Sequence, residues 1–99
     1  MLVRVWEYDV PEGSRHEFER VYGAGGDWAQ LFASSSGYAG TELFVSLSSP
    51  GRYVTVDRFR DDAAWEAFLA KQWDAYVRLD ARTAGLTAEE RVLAGPVAD

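Results

Sequence analysis

The fold is decided by residues Tyr38–Tyr76, which read YAGTELFVSLSSPGRYVTVDRFRDDAAWEAFLAKQWDAY. Residues 38–47 are rich in the β-branched and aromatic side chains that favour a strand. Ser48–Gly51 then break the strand, because proline fixes φ and lacks an N–H donor while glycine tolerates positive φ. Residues 52–60 have the composition of a second strand. The stretch therefore begins with a predicted β-hairpin.

A long amphipathic helix is predicted to follow the hairpin. Asp61 and Asp62 can accept hydrogen bonds from the free backbone N–H groups at a helix start. Large side chains then recur at spacings of three and four residues, as on one face of a helix. They are Trp65, Phe68, Leu69, Gln72, Trp73, Tyr76 and Leu79. This face is expected to pack against the sheet.

A strand and two short helices are predicted upstream of the hairpin. Residues 2–10 carry apolar groups on both faces of an alternating pattern, which indicates a strand. Ser14 and Glu17 have the spacing of a capping box, so a helix is expected to begin there. Asp27 is expected to cap a second helix in the same way. The predicted inner faces consist of Phe18, Val21, Tyr22, Trp28, Leu31 and Phe32.

The glycines of residues 23–26 have two interpretations. Backbone N–H groups at a helix start attract anions, which would suit a phosphate-binding loop. However, no Gly-x-x-x-x-Gly-Lys pattern is present, and the Asp27 carboxylate would repel a phosphate. We therefore interpret the glycines as a hinge between two helices.

The order of elements predicts an α+β fold. Residues 91–97 are expected to form a last edge strand, because Pro96 cannot donate a hydrogen bond to a ladder. The order β-α-α-β-β-α-β is that of a ferredoxin-like split βαβ fold, with an antiparallel sheet and helices on one face. The sequence shows no repeat or linker, so residues 1–99 are expected to form one domain.

Composition excludes several classes of function. The formal net charge of −6 disfavours nucleic acid as a partner. The chain contains no cysteine and only one histidine, His16, so a disulfide is excluded and a zinc or haem site would be difficult to assemble. No apolar run approaches the roughly 20 residues that cross a bilayer, and no signal peptide is evident. A cytoplasmic protein without a membrane partner is expected.

The chain resembles the antibiotic biosynthesis monooxygenase-like family of dimeric α+β barrels. The resemblance covers nearly the whole length and rests on residues 11–13, 22–23, 26–28, 31–32, 37–43 and 53–59. It implies a homodimer in which two sheets together close a barrel. Apolar side chains on the second face of the sheet would otherwise contact solvent. We predict that this face carries Val3, Val5, Leu43, Val45, Val54 and Val56.

The resemblance also implies a small-molecule pocket between the helices and the sheet. Family members include monooxygenases that oxidise aromatic, polyketide-type substrates without metal or flavin, so a small aromatic ligand and no cofactor are expected. The haem-degrading branch uses an asparagine on the first strand, and this chain contains none. The pocket is expected to be formed by Trp6, Tyr8, Trp28, Phe32, Phe59, Trp65, Phe68 and Tyr76.

Three charged residues of the hairpin are the candidate catalytic groups. If Ser48–Gly51 close the hairpin, Glu42 lies opposite Asp57, and two neighbouring carboxylates would share a proton and could act as a general base toward a phenol. A shift of one residue would instead pair Glu42 with Arg58 as an ordinary ion pair. Arg4 and Arg58 are also candidates for holding a substrate oxyanion.

These observations support three hypotheses of function. The first is a cofactor-independent monooxygenase-like enzyme that acts on a small aromatic or polyketide-derived molecule. The second is a dimeric binding protein that holds an apolar molecule in the same pocket without catalysis. The third is a structural dimer whose pocket is filled by its own aromatic side chains.

Overall fold

In a computed structural model, which describes residues 1–95, the chain forms four strands and three α-helices. Short 3₁₀ turns at Glu12–Ser14 and Ala84–Leu86 precede α1 and follow α3. The elements in chain order are β1 Leu2–Asp9, α1 Arg15–Tyr22, α2 Asp27–Phe32, β2 Tyr38–Val45, β3 Arg52–Phe59, α3 Asp62–Thr83 and β4 Glu89–Ala94.

The strands form one antiparallel sheet in the order β2-β3-β1-β4. The helices pack on one face of this sheet, around a core in which Phe18 and Phe59 are fully buried. The predicted α+β ferredoxin-like fold is therefore confirmed. The last strand begins two residues before the predicted start, at Glu89, and Pro96 and Val97 of the predicted strand lie outside the described residues.

Both α1 and α3 begin where they were predicted to begin, but only α3 has its predicted side-chain cap. Asp61 Oδ1 accepts a hydrogen bond from the Ala64 N–H at 2.8 Å, so Asp61 caps α3. The predicted capping box of Ser14 and Glu17 is wrong, since Ser14 makes no side-chain cap within residues 1–95. A capping residue needs extended backbone. Ser14, at φ −105° and ψ −4°, instead leaves a 3₁₀ turn that leads directly into the helix.

The start of α2 also differs from its prediction. Gly26 occupies the cap position in extended backbone, and Asp27 is already the first helical residue. A Cβ atom on Gly26 would lie 2.4 Å from the carbonyl oxygens of Arg20 and Val21, so only glycine allows the two helices to approach this closely. The glycine segment therefore joins α1 to α2 as a hinge, and the Asp27 carboxylate forms ion pairs with Arg20 and Arg82.

The predicted register of the hairpin is wrong by one residue. Thr41 lies opposite Asp57, and Glu42 lies opposite Val56. The turn is one residue longer on its β2 side than predicted, because the last hydrogen bond of the ladder is donated by the Ser46 N–H to the Arg52 carbonyl. A shift of one residue moves every side chain of a strand to the other face.

This register corrects the predicted face of the sheet that carries no helix, here called the open face. Leu43 and Val45 lie opposite Thr55 and Tyr53, so they share the helix-covered side. Phe44, which is 49% exposed, lies on the open face in their place. The apolar side chains of the open face are therefore Val3, Val5, Phe44, Val54 and Val56.

Candidate functional site

A pocket lies between the helix-covered face of the sheet and the helices. Seven rings line it, which come from β1, from α1 and α2, and from α3. The alternation of β1 places its even-numbered residues on this side, and the helical spacing of α3 turns its inner face toward them. The rings are Trp6, Tyr8, Tyr22, Trp28, Phe32, Trp65 and Tyr76.

These rings pack closely on one another. The centroids of Trp28 and Tyr76 are 5.1 Å apart in an edge-to-face arrangement, and Trp6 stacks on Tyr8 at 6.3 Å. The remaining cavity has a volume of about 60 Å³. An engineered cavity that binds benzene measures about 150 Å³. A substrate ring therefore requires some of the lining side chains to move.

The structure brings together six of the eight predicted pocket residues: Trp6, Tyr8, Trp28, Phe32, Trp65 and Tyr76. The other two, Phe59 and Phe68, belong to the core behind the pocket wall, where they are 0% and 3% exposed. Both pack edge-on against Phe32, with centroids 5.6 and 5.4 Å away. Helical and strand periodicity predict the face on which a ring lies. They do not predict whether a cavity extends to that ring, so the two most deeply buried rings were wrongly assigned to the pocket.

Asp57 is the one candidate catalytic residue that lines the pocket. The Thr41 hydroxyl donates to Asp57 Oδ1 at 2.6 Å, and the Tyr38 hydroxyl donates to Thr41 Oγ1 at 2.6 Å. Burial raises the pKa of Asp57, and this effect is opposed by the hydrogen bond from Thr41 and by the charge of Arg4. The carboxyl group is thus placed to accept a proton inside an aromatic pocket.

Arg4 supplies the positive charge of the pocket. It lies opposite Asp57 in the pairing of β1 with β3, and its guanidinium carbon lies 4.6 Å from the centroid of the Trp65 ring. This contact has the geometry of a cation–π interaction, which holds the guanidinium group in place. Arg4 is therefore placed to stabilise an anion formed beside Asp57.

Glu42 and Arg58 lie on the open face, away from the pocket. Their side chains form the predicted ion pair, but as diagonal neighbours, because the observed register places Glu42 opposite Val56 and not opposite Arg58. The predicted proton-sharing pair of Glu42 and Asp57 is wrong, because the observed register places the two side chains on opposite faces of the sheet. Asp57 thus reaches the pocket without a second carboxylate beside it on β2.

The tyrosines of the pocket remain protonated at neutral pH. Burial raises the pKa of Tyr8, Tyr22 and Tyr76. Tyr8 also accepts a hydrogen bond from Thr55 at 3.5 Å, and Tyr22 donates one to Thr83 at 3.3 Å. The phenols are therefore neutral groups rather than bases.

Four polar residues of the pocket were missed by the sequence analysis: Thr41, Thr55, Asp80 and Glu90. Thr55 shares the face of Asp57 because it lies two residues away on β3. Thr41 could be assigned only from the correct register, which places it opposite Asp57. Asp80 follows Tyr76 by one helical turn, and Glu90 lies opposite Tyr8 on β4. Both carboxylates are exposed and lie at the rim, so the pocket carries three acidic groups and one guanidinium group.

One buried donor in the pocket wall lacks a partner. The indole Nε1 of Trp28 makes no hydrogen bond within residues 1–95. A buried N–H group without an acceptor costs free energy. A ligand oxygen that reached this nitrogen would remove that cost.

Residues 1–95 contain no group of three or more His, Asp or Glu side chains placed to hold a metal ion. Within the same residues, no helix has the length and apolar character needed to cross a membrane.

Comparison with known proteins gives one family and several related folds. The family model described as antibiotic biosynthesis monooxygenase matches residues 1–78. No curated protein matches the sequence. Among solved structures, the cofactor-independent oxygenase SnoaB from Streptomyces nogalater has 20% identity, covers 98% of this chain and 94% of its own, and superposes with a TM-score of 0.72.

Two further structures superpose over nearly the full length. A candidate antibiotic biosynthesis monooxygenase from Deinococcus radiodurans has 14% identity, with 100% of this chain and 97% of that one covered and a TM-score of 0.71. PA3566 from Pseudomonas aeruginosa has 16% identity, coverage of 98% and 94%, and a TM-score of 0.66. At these identities the likeness shows a shared fold.

Proposed function

Because the chain belongs to the antibiotic biosynthesis monooxygenase family, we propose that it is a cofactor-independent monooxygenase that oxidises a small aromatic molecule with dioxygen. The observation that carries the proposal is the position of Asp57. Its carboxyl group lines an aromatic pocket, is held by Thr41, and lies opposite Arg4. A site of this kind can deprotonate a phenol or an activated C–H group and stabilise the resulting anion.

The proposed reaction balances without a bound redox group. Asp57 takes a proton from an anthrone-type ring, and the resulting anion gives its electrons to dioxygen. One oxygen atom enters the ring as a carbonyl group and the other leaves as water, so that anthrone and dioxygen give anthraquinone and water. Arg4 offsets the negative charge of the substrate anion.

The charges of the pocket favour an uncharged substrate. Asp80 and Glu90 at the rim and Asp57 inside oppose only Arg4. A carboxylated ring would be repelled by this excess of negative charge, whereas a neutral phenol or anthrone would not.

Binding is expected to widen the pocket at Trp65. This side chain and Trp6 are partly exposed, so they can move without opening the core. In α3, Gln72 has non-helical backbone angles of φ −115° and ψ 19°, and this kink separates Trp65 from Tyr76. The α3 segment that carries Trp65 and the α3 segment that carries Tyr76 can therefore move independently.

We also propose that the protein works as a cytoplasmic homodimer that pairs its open faces. The apolar centre of this face lies between two groups of ion pairs. Arg91 bonds Glu7 and Asp9 at 2.8 and 3.0 Å on one side, and Arg58 pairs with Glu42 on the other. Because these charged side chains are already paired within one sheet, the apolar surface between them is suited to pack against the same surface of a second copy.

The proposal is tested by measuring oxygen uptake with anthrone as the probe. Asp57→Asn should lower the rate by at least about 100-fold, because the general base is lost, while an anthrone-induced rise in melting temperature should remain. Asp74→Asn, an exposed residue of α3 away from the pocket, is the matched control and should keep both properties. A full rate in Asp57→Asn would refute the role of Asp57.

A second candidate function is favoured by the small cavity. At about 60 Å³, the pocket is nearly filled by its own rings, as in a dimer that binds no substrate. In that case neither anthrone nor any other ring compound would raise the melting temperature. A thermal shift without oxygen uptake would instead indicate a binding protein.

A further inference from the structure

A continuous chain of hydrogen bonds leads from Asp57 away from the pocket. It runs from Asp57 Oδ1 through Thr41 Oγ1 to the Tyr38 hydroxyl, and both donor–acceptor distances are 2.6 Å. Thr41 is 8% exposed and lines the pocket. Tyr38 lies beyond the pocket lining and is partly exposed. The chain therefore connects the pocket wall with the protein surface behind it.

A β-bulge makes this chain possible. Tyr38 pairs with Phe59, whereas Gly40 pairs with Arg58 and Thr41 with Asp57, so Ala39 is an extra residue in β2. In a regular strand, residues 38 and 41 would point to opposite faces. The bulge returns Tyr38 to the face of Thr41, and Gly40, the residue after the extra one, has a φ of +125°, which favours glycine.

We infer that Thr41 and Tyr38 form a proton path that returns Asp57 to its ionised state while substrate fills the pocket. This inference rests on the proposed function. A bound ring would cover Asp57 from the pocket mouth, and the route through Thr41 would stay open. Bulges often re-aim side chains next to active sites, which is the role proposed for this one.

The transfer conserves protons at each step. Asp57 first gains a proton when a C–H or O–H bond of the substrate breaks. Both hydroxyl groups, which donate toward the ionised Asp57, then rotate so that their hydrogens point away from it. The proton passes from Asp57 to Thr41 Oγ1, Thr41 gives its own hydroxyl proton to the Tyr38 oxygen, and Tyr38 gives its proton to solvent. The water formed from dioxygen takes up an equal number of protons from solvent at the mouth, so the reaction releases none overall.

The groups around Asp57 are consistent with a transient proton on its carboxyl group. Arg4 from β1 is the only cation of the described pocket lining, and Tyr8 from β1 and Tyr76 from α3 are neutral. Asp80 of α3 and Glu90 of β4 are carboxylates at the rim. Burial raises the pKa of Asp57, so the carboxyl group can hold a proton between the two transfers.

The test compares hydroxyl-deleting variants of the full chain in oxygen uptake with anthrone. Thr41→Val and Tyr38→Phe should each lower kcat by about tenfold, with kcat/KM much less affected, because substrate deprotonation is retained and the return of Asp57 is slowed. Their solvent deuterium isotope effect on kcat should rise. Thr41→Ser should restore the wild-type values, since it restores the hydroxyl group.

Two controls separate this inference from packing effects and from the proposed function. Tyr53→Phe removes a tyrosine hydroxyl that bonds Glu19 at 2.5 Å outside the pocket, and it should leave kcat unchanged. If Asp57→Asn abolishes uptake while Thr41→Val and Tyr38→Phe keep the wild-type kcat, the proton path is overturned and the proposed function stands. A loss in Thr41→Val that Thr41→Ser does not rescue also overturns it. Absence of oxygen uptake by the wild type would overturn the proposed function, and the path with it.

Discussion

The division between pocket and core predicts opposite effects for two neighbouring aromatic residues. Phe59 is 0% exposed, and its ring lies 5.1–5.8 Å from those of Trp65, Phe32 and Phe68. Phe59→Ala should therefore lower the free energy of unfolding by about 3–5 kcal/mol, the range for a large aromatic residue removed from a core. This is a large part of the roughly 5–15 kcal/mol that stabilises a domain.

Trp65 should behave differently, because it is partly exposed and lines the pocket. Trp65→Ala removes its contact with Arg4 and part of its packing, so a loss of about 2 kcal/mol is expected, within the usual range for single substitutions. The same change removes one wall of the site. Anthrone should then no longer raise the melting temperature of Trp65→Ala.

The assay combines urea unfolding, followed by circular dichroism, with a thermal-shift titration of anthrone. Leu47→Ala is the stability control. Leu47 is fully exposed, so this substitution should change the free energy of unfolding by no more than about 0.5 kcal/mol. Phe59→Leu should lose less stability than Phe59→Ala and keep the ligand-induced shift. The reasoning is refuted if Trp65→Ala costs more stability than Phe59→Ala, or if Trp65→Ala keeps the shift.

Three further predictions follow from charge and exposure. The hydrogen bond from Thr41 lowers the pKa of Asp57, so Thr41→Val should raise that pKa. Because Asp57 acts as a base only when ionised, the acidic limb of the pH–rate profile should move to higher pH in this variant. An unchanged acidic limb would contradict the role of Asp57 as the base. A neutral anthrone should bind more tightly than its carboxylated analogue in calorimetry, and the double variant Asp80→Asn, Glu90→Gln should narrow the difference by removing the rim charges. Val54→Asp should convert the proposed dimer to a monomer in sedimentation analysis, while the exposed helix variant Val77→Asp should not.

The element order could be predicted from the sequence because its signals are local. The Pro50–Gly51 turn, the Asp61 cap and the spacing of large residues from Trp65 to Leu79 each act within a few residues. The absence of a capping box at the start of α1 escaped prediction because the preceding 3₁₀ turn gives Ser14 nearly helical angles. The backbone angles of Ser14 depend on this turn, and they cannot be predicted from the spacing of Ser14 and Glu17.

The candidate site could be predicted only in part because it depends on register. The family resemblance implied a pocket that contains Trp6, Tyr8 and Trp65, and all three line the observed pocket. The partners of Asp57 depend on how many residues the hairpin turn consumes and on the bulge at Ala39. A change of one residue in either feature moves side chains to the other face of the sheet, and neither feature could be predicted from the sequence pattern.

The position of Gly40 carries the signal that the sequence analysis did not use. A glycine inside a strand pattern often marks a bulge, and here Gly40 adopts positive φ between Tyr38 and Thr41. A bulge at that point brings the Tyr38 hydroxyl to the face that Thr41 and Asp57 share. The bulge at Gly40 thus brings the Tyr38 hydroxyl to the pocket side of the sheet, whereas the length of the hairpin turn places Thr41 on that side and Glu42 on the open face.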